Sequence, residues 1–413
     1  MQTSIAPELA DDARVIDAEK TLRKCVHCGF CLATCPTYNL LGDELDSPRG
    51  RIYLIKQIVE GATPTTQTLT HLDRCLTCRN CETTCPSGVE YGHLLDNGRS
   101  LVEEQVSRPL HTRILRKAIL SVLPYKARIS PLVKLGQTFG ALLPAKLKAT
   151  VPSKQDPGDW PGRQHNRSML VLDGCVQPAM APATNAAAAR VLGALGIDLI
   201  NIPKTGCCGA VHFHLNEQNA AKDFMRRNID AWWPHIEKGA EAIITTASGC
   251  GVMVKDYGHV LADDEQYKEK AARVSSLCKD IVEVIQMQDL SLFESLANKR
   301  PSSLADEYGP IAFHPPCTLQ HGQRLPDVTE TVLKRIGFNL VPVQDAHLCC
   351  GSAGTYSIFQ PELSQQLKQN KLNGLATHSP QTIATANIGC QLHLQSGTQT
   401  PVVHWIQLLD KLL

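Results

Sequence analysis

Neither sign of charge dominates this chain: 41 Lys and Arg stand against 40 Asp and Glu in 413 residues. That balance excludes the broad basic surface on which nucleic-acid binding rests, so no nucleic-acid partner is expected. No apolar run approaches the roughly 18 residues that a membrane-spanning helix needs, and any bilayer contact would be peripheral. The first twenty residues, MQTSIAPELADDARVIDAEK, have no apolar core, no twin arginine and no small-residue cleavage site. No signal peptide is expected, and the cytoplasm is the expected compartment. No G-x-G-x-x-G follows a predicted strand and no P-loop is present, so no flavin, nicotinamide or nucleotide site is expected in this chain.

What the sequence does have is cysteine, 17 in all. Without an export signal a disulfide framework is not expected, because the cytosol keeps thiols reduced, and metal binding is the leading explanation. Eight of them form two strings of the pattern C-x2-C-x2-C-x3-C-P, Cys25, Cys28, Cys31 and Cys35 before Pro36, and Cys75, Cys78, Cys81 and Cys85 before Pro86. Three closely wrapped cysteines can ligate three irons of one cubane while the fourth, held away at the Pro turn, reaches the other cluster. The expected sets are Cys25, Cys28, Cys31 and Cys85 for one [4Fe-4S] cluster, and Cys75, Cys78, Cys81 and Cys35 for the second. Zinc would use two separated pairs per ion, whereas here a third cysteine follows at once and the whole string recurs. Arg49, Arg51, Arg74 and Arg79 lie beside the strings and can offset thiolate charge, or can be ordinary solvated charges. Ser47 followed by Pro48 reads as a helix start, with Ile52, Ile55, Ile58 and Val59 as an apolar stripe at helical spacing.

The length suggests two or three domains. Residues 1–104 hold the strings. Residues 105–165 are a basic helical connector and linker: between 105 and 155 there are ten Lys and Arg, among them Arg108, Arg113, Arg116, Lys117, Arg128, Lys134 and Lys146, and no acidic residue. With Ile114, Leu115, Ile119 and Leu123 as its apolar side, this stretch is a candidate for peripheral membrane contact.

The remainder is a duplication, 166–295 and 296–413. The first half runs from MLVLDGC, ending at Cys175, through Cys207 and Cys208, to Cys250; the second runs from IAFHPPC, ending at Cys317, through Cys349 and Cys350, to Cys390. The first cysteine stands 32 positions before the pair in both halves, and the last follows the pair's second member by 42 or 40. Helix-like stretches alternate with β-like runs (IDLINI; FNLVPV), which predicts βαβ units, a small α/β domain per half, and cysteines at the carboxyl ends of parallel strands. These eight cysteines are a candidate third iron-sulfur centre, shared between the halves, or else buried small hydrophobes. Cys278 stands outside the repeat and reads as structural; His212, His214 and His314 read as core or surface histidines rather than ligands. The whole is a multidomain α+β and α/β protein: a helical ferredoxin-like two-cluster domain followed by two tandem cysteine-rich domains.

The segments CVHCGFCLATCPTYNLLGDELDSPRGRIYLIKQ and CLTCRNCETTCPSGVEYGHLLD resemble the family of bacterial glycolate oxidase iron-sulfur subunits, and the resemblance extends over nearly the whole chain. It implies an oxidoreductase subunit that is not catalytic alone, works with flavin-bearing subunits, and passes electrons from glycolate, oxidised to glyoxylate, toward a membrane quinone at the inner face of the cytoplasmic membrane. It also implies that the eight string cysteines are cluster ligands. The duplicated half looks like the cysteine-rich domains of heterodisulfide reductase and of lactate and anaerobic glycerol-3-phosphate dehydrogenase subunits. In their fullest motif a further cysteine follows three residues after the last one, where this chain has Met253 and His393. The alternatives are service to D-lactate or glycerol-3-phosphate, and a cluster-bearing sensor or scaffold, for which no output module such as a basic helix-turn-helix is found.

Overall fold

The computed structural model describes residues 1–140, 144 and 151–413. Its amino-terminal module is helical. Helix Pro48–Val59 begins where the sequence indicates: the Ser47 hydroxyl accepts a hydrogen bond from the Gly50 amide, and Pro48 takes the first helical position. Ile52, Ile55, Ile58 and Val59 are all buried, packed with Val15 and Leu22 of helix Ala13–Lys24 and with Leu94 and Leu95 of helix Tyr91–Gln105. This core leaves one side of the module to the two cysteine strings.

Each half of the duplication is a four-stranded, all-parallel sheet. In the first, β1 (Arg167–Val171), β2 (Ile197–Asn201), β3 (Ile243–Thr245) and β4 (Cys278–Asp280) lie in the order β2-β1-β3-β4; in the second, β5 (Ile311–His314), β6 (Leu340–Val341), β7 (Thr382–Thr385) and β8 (Val402–His404) repeat it as β6-β5-β7-β8. The chain reverses its winding between the first and third strand of each sheet, and the segments leaving the carboxyl ends of the first three strands carry the repeat cysteines. This is the crevice where doubly wound sheets hold their ligands. Of the central strands, β3 and β5 are buried throughout and β1 and β7 are buried beyond their opening residues, as parallel sheets covered on both faces require. Cys278, read as a residue outside the repeat, opens β4, is buried, and donates to the Gly251 carbonyl.

Three expectations shift. The edge strands β4 and β8 had no signal of their own, being three residues each. The boundary placed between 295 and 296 falls inside helix Ser291–Asn298, whose Phe293 belongs to a core shared by both halves. The basic connector contains helices Leu110–Val122 and Lys126–Thr138, but only part of its expected apolar side turns inward: Ile119 is buried and Leu123 packs beside it, whereas Ile114 and Leu115 face solvent. Arg116 is not free either, because its guanidinium is paired with Glu103. Lys146 lies outside the described residues.

The two halves are locked by polar contacts as well as by that common core. The Ser248 and Thr318 hydroxyls are 2.7 Å apart. The His404 Nε2–H donates to the Thr246 carbonyl at 2.7 Å, and its Nδ1 accepts from the Ile406 amide. Burial pushes the pKa of this ring down to about 4 from 6.5, so the neutral ring's contribution is whole above pH 6.5 and is lost as pH falls from 6.5 toward 4. Full loss corresponds to on the order of 3 kcal/mol. Asp280, which accepts from Gln323 of the second half, works in the other direction: burial pushes its carboxyl up to about 7 from 3.8, which lowers stability as pH rises through that window. The difference between wild type and His404→Gln isolates the histidine. The wild-type unfolding temperature is expected to drop more steeply between pH 6.5 and 4 than that of the variant; parallel pH curves would refute the assignment.

Candidate metal centres

The cysteine strings curl rather than extend. His27 and Thr77, each just before the second cysteine of its string, have φ of 55° and 53°, and Gly29 and Arg79 just after it are left-handed too. Four such conformations wrap the backbone around its own thiols, a strain that the surrounding packing has to hold. The short helices Phe30–Ala33 and Asn80–Thr84 then carry the chain to Cys35 and Cys85, and Pro36 opens helix Pro36–Leu41.

Two concavities result. One is lined by Cys25, Cys28, Cys31, Cys85 and the flank of Cys81. The other is lined by Cys35, Cys75, Cys78 and Cys81. Cys35 of the first string thus faces the second concavity, and Cys85 of the second string faces the first. Burial, with the charge of Cys25 next, pushes the Cys31 thiol up to about 11, and burial followed by Cys78 and Cys75 pushes Cys81 well above the usual thiol value. Such groups do not ionise together in water-poor surroundings unless a cation joins them, and metal binding then displaces their protons. Four soft donors around a space larger than one ion fit a [4Fe-4S] cubane.

The arginines beside the strings divide. Arg49 and Arg74 keep about a third of their side chains exposed and pair with Glu44 and Asp46. Arg79 lines the second concavity and binds Asp256 of the first repeat at 2.8 Å. Arg51 is fully buried: it donates to the Thr37 hydroxyl and the His71 carbonyl, and pairs with the equally buried Asp46 at 3.3 Å. Burial alone would lower its pKa, but Cys75, Tyr91, Cys35 and Asp46 outweigh this, and the net shift is upward. A permanent cation therefore stands at the wall of the second concavity.

In the duplicated half the cysteines gather in two sets, Cys175, Cys207, Cys208 and Cys250 as mutual neighbours, and Cys317, Cys349, Cys350 and Cys390 likewise. The reason is topological: each doubly wound sheet gathers the loops of its own strands. The glycine after each pair is required by this geometry. Gly209 and Gly351 have φ of 93° and 86°, and a Cβ on Gly351 would stand 2.6 Å from the Ser364 carbonyl oxygen. The second group abuts the dicluster module, with Cys317, Cys349 and Leu76 in one apolar cluster against Cys78. Asn80, from the second string, donates both to the Thr34 carbonyl and to the His347 carbonyl of the second repeat.

The flanking histidines take three different places. His212 is buried against Phe224, its ring 4.9 Å from the phenyl ring, and helps hold Cys207 well below the usual thiol pKa, after the hydrogen bonds from Cys175 and Cys208. His214 is partly exposed and pairs with Asp96. His314 lies within ligand reach of Cys350 and Cys390, a proximity that no local pattern announced, because it arises from β5 and β7 lying side by side. Met253 is buried core and His393 meets the Ser364 hydroxyl at 3.3 Å.

The buried Arg51–Asp46 pair gives a test. Arg51→Met leaves the buried Asp46 with only Arg74 and His71 as partners and is expected to cost about 3 kcal/mol of module stability, whereas Arg51→Met with Asp46→Asn should recover part of it, because Arg74 reaches solvent and no carboxylate then remains inside. Thermal unfolding of the two variants decides; a double variant no more stable than Arg51→Met would show that the pair is not what holds this wall.

Comparison with known proteins follows the same division of the chain. The 4Fe-4S dicluster domain family matches residues 21–89, and the cysteine-rich domain family matches 169–255 and 311–395. The glycolate oxidase iron-sulfur subunit of Escherichia coli (strain K12) is 51% identical over 416 residues, covering 100% of this chain and 99% of the relative. The probable glycolate oxidase iron-sulfur subunit of Bacillus subtilis (strain 168) is 31% identical over 96% of this chain and 94% of its own length. Lactate utilization protein A of Anoxybacillus flavithermus is 25% identical, over only 49% of this chain. With half of its residues shared from end to end, and a dicluster domain and two cysteine-rich domains in succession, the chain belongs to the family of glycolate oxidase iron-sulfur subunits.

Proposed function

We propose that this chain is the electron-carrying subunit of a glycolate-oxidising complex, taking electrons from flavin-bearing subunits and delivering them toward a membrane quinone. The observation that carries the reading is the pair of concavities, the first lined by Cys25, Cys28, Cys31 and Cys85 with Cys81 at its flank and the second by Cys35, Cys75, Cys78 and Cys81, so that each string lends a cysteine to the other's concavity. The first would be served by Cys25, Cys28, Cys31 and Cys85, the second by Cys75, Cys78, Cys81 and Cys35. A bound [4Fe-4S] cubane supplies one-electron transfer. The chain's own residues fix the two sites wall to wall, with Cys81 bordering both, keep Arg51 as an unconditional positive charge beside the second, and pack Cys317 and Cys349 of the second repeat against Leu76 and Cys78 of the second string. Glycolate is favoured over D-lactate because the similarity to a glycolate oxidase subunit spans the whole chain, while that to the lactate utilization protein covers half.

Anaerobically purified protein is expected to hold eight irons in the dicluster module, with any iron above eight assigned to the thiol groups of the repeats. Cys78→Ala should remove one cluster's paramagnetic resonance signal and disturb the other. Zinc in place of these eight irons, or both signals unchanged, would overturn the ligand sets. The purified chain alone should leave glycolate untouched, and adding the flavin subunits should restore dye reduction; flavin-free turnover by this chain alone would contradict the division of labour.

Among the described residues no helix is long and apolar enough to cross a membrane. Peripheral attachment has a specific surface in its favour. Leu110, Ile114, Leu115, Leu132, Leu135 and Phe139 are exposed on the two connector helices, together with Arg113, Lys117 and Lys134 and no acidic residue. An anionic bilayer face suits that chemistry, each basic residue contributing roughly 1 kcal/mol near the surface. Cosedimentation with anionic vesicles should weaken with salt and with Arg113→Gln/Lys117→Gln/Lys134→Gln, and neutral vesicles should bind poorly. Equal binding by variant and wild type would assign the face to the flavin subunits instead.

A further inference from the structure

His314 sits on β5, three residues before Cys317, and its ring is fully buried with neither nitrogen hydrogen-bonded. An imidazole sealed from water without a partner costs about 1–3 kcal/mol for each unsatisfied group, and buried polar groups in folded proteins are nearly always paired. The ring nitrogen, the Cys350 Sγ and the Cys390 Sγ all lie within 4.8 Å of one another, and all three residues are buried. Two thiolates on one tetrahedral zinc stand about 3.8 Å apart, and a thiolate and an imidazole about 3.5 Å, from metal–ligand bonds of about 2.3 and 2.0 Å. Cys350 has Cys349 and Cys390 as its immediate thiol neighbours.

The contrast with the rest of the chain identifies the kind of occupant. Among the described residues the string cysteines form no triad as close as this one; they stand around two concavities. Nor do the thiols of the first repeat, where Leu172 occupies the position that His314 has in the second, three residues before the first cysteine. Thiols held apart around a hollow suit a multi-iron group; a nitrogen and two sulfurs closing on a point suit a single ion.

From these observations we infer that the second repeat holds one tetrahedral divalent ion of the zinc class, bound by His314, Cys350 and Cys390, with Cys349 in the fourth position. The surroundings are those of a ligand set. Asn387 Nδ2 donates to Cys390 Sγ at 3.5 Å, and the Gly351 amide donates to Cys349 Sγ at 3.4 Å, the kind of outer N–H contact that metal-bound sulfurs accept. The buried ammonium of Lys371, donating to the Asp345 and Ala346 carbonyls, has Cys317, Cys349 and Cys350 for neighbours and offsets the net negative charge of three thiolates on a dication. All four positions being protein side chains, the site is closed, and its role is to pin β5, β7 and the loop after β6 together where the dicluster module docks.

The test uses the whole chain purified anaerobically, with iron and zinc counted together and the zinc-edge X-ray absorption spectrum recorded. One zinc per chain with an imidazole and sulfurs in its shell is expected. His314→Ala should lose the zinc while the iron count stays at the wild-type value, and His314→Cys should keep it. A zinc shell without nitrogen, zinc retained in full by His314→Ala, or a wild-type chain without zinc overturns the inference. Should His314→Ala fail to fold, the wild-type spectrum decides alone. An iron count other than eight in the dicluster module would defeat the proposed electron carrier and leave the zinc result standing.

Discussion

A thiolate cannot stay charged inside a protein without a cation beside it, and this constraint shapes the whole molecule. Sixteen cysteines lie in the strings and the repeats, most of them buried. Burial and neighbouring thiols push Cys31, Cys81 and Cys350 above the usual thiol value. The fold answers with several kinds of positive or donating partner. Left-handed turns bend each string around its own sulfurs, the immovable charge of Arg51 stands at the wall of the second concavity, and backbone or amide N–H groups point at Cys349 and Cys390. Bound metal completes a set of interactions that the polypeptide has only half made.

Much of this was legible in the residues because the responsible physics is local. A C-x2-C-x2-C-x3-C-P string specifies its own loop, and Ser47-Pro48 caps its helix through groups two or three residues away. The βαβ alternation of the repeats likewise follows from short segments, as do β1, β2 and β3 and their counterparts. What could not be read depends on neighbours distant in sequence. β4 and β8 are three-residue edges formed only because β3 and β7 offer them a ladder. The two thiol groups of the repeats looked like one set because their spacing is shared, yet spacing within a half says nothing about which half's loops converge. In the sequence Arg116 counts with the basic residues available to a membrane surface, but Glu103, on the preceding helix, claims it.

His314 is the sharpest such case. Taken alone, a histidine amid IAFHPPC is an ordinary core residue of a buried strand. Its significance comes from the parallel pairing of β5 with β7, which brings the loop carrying Cys390 beside it, and from the loop after β6 that delivers Cys350 to the same point. The matching place in the first repeat is Leu172, so the two halves share a topology but not a donor set. Duplication preserved the scaffold while the chemistry of each copy diverged.

The position of Asn80 couples the second string to the repeats. Its amide clips the second string to the second repeat, and the neighbouring Cys81 is buried, whereas Cys28 of the first string remains exposed. Parting the second repeat from the dicluster module means breaking the bond from Asn80 to the His347 carbonyl and uncovering Leu76 where it meets Cys317 and Cys349. Any disturbance of that docking is therefore felt first at the second string, while the tip of the first string at Cys28 stands clear of it.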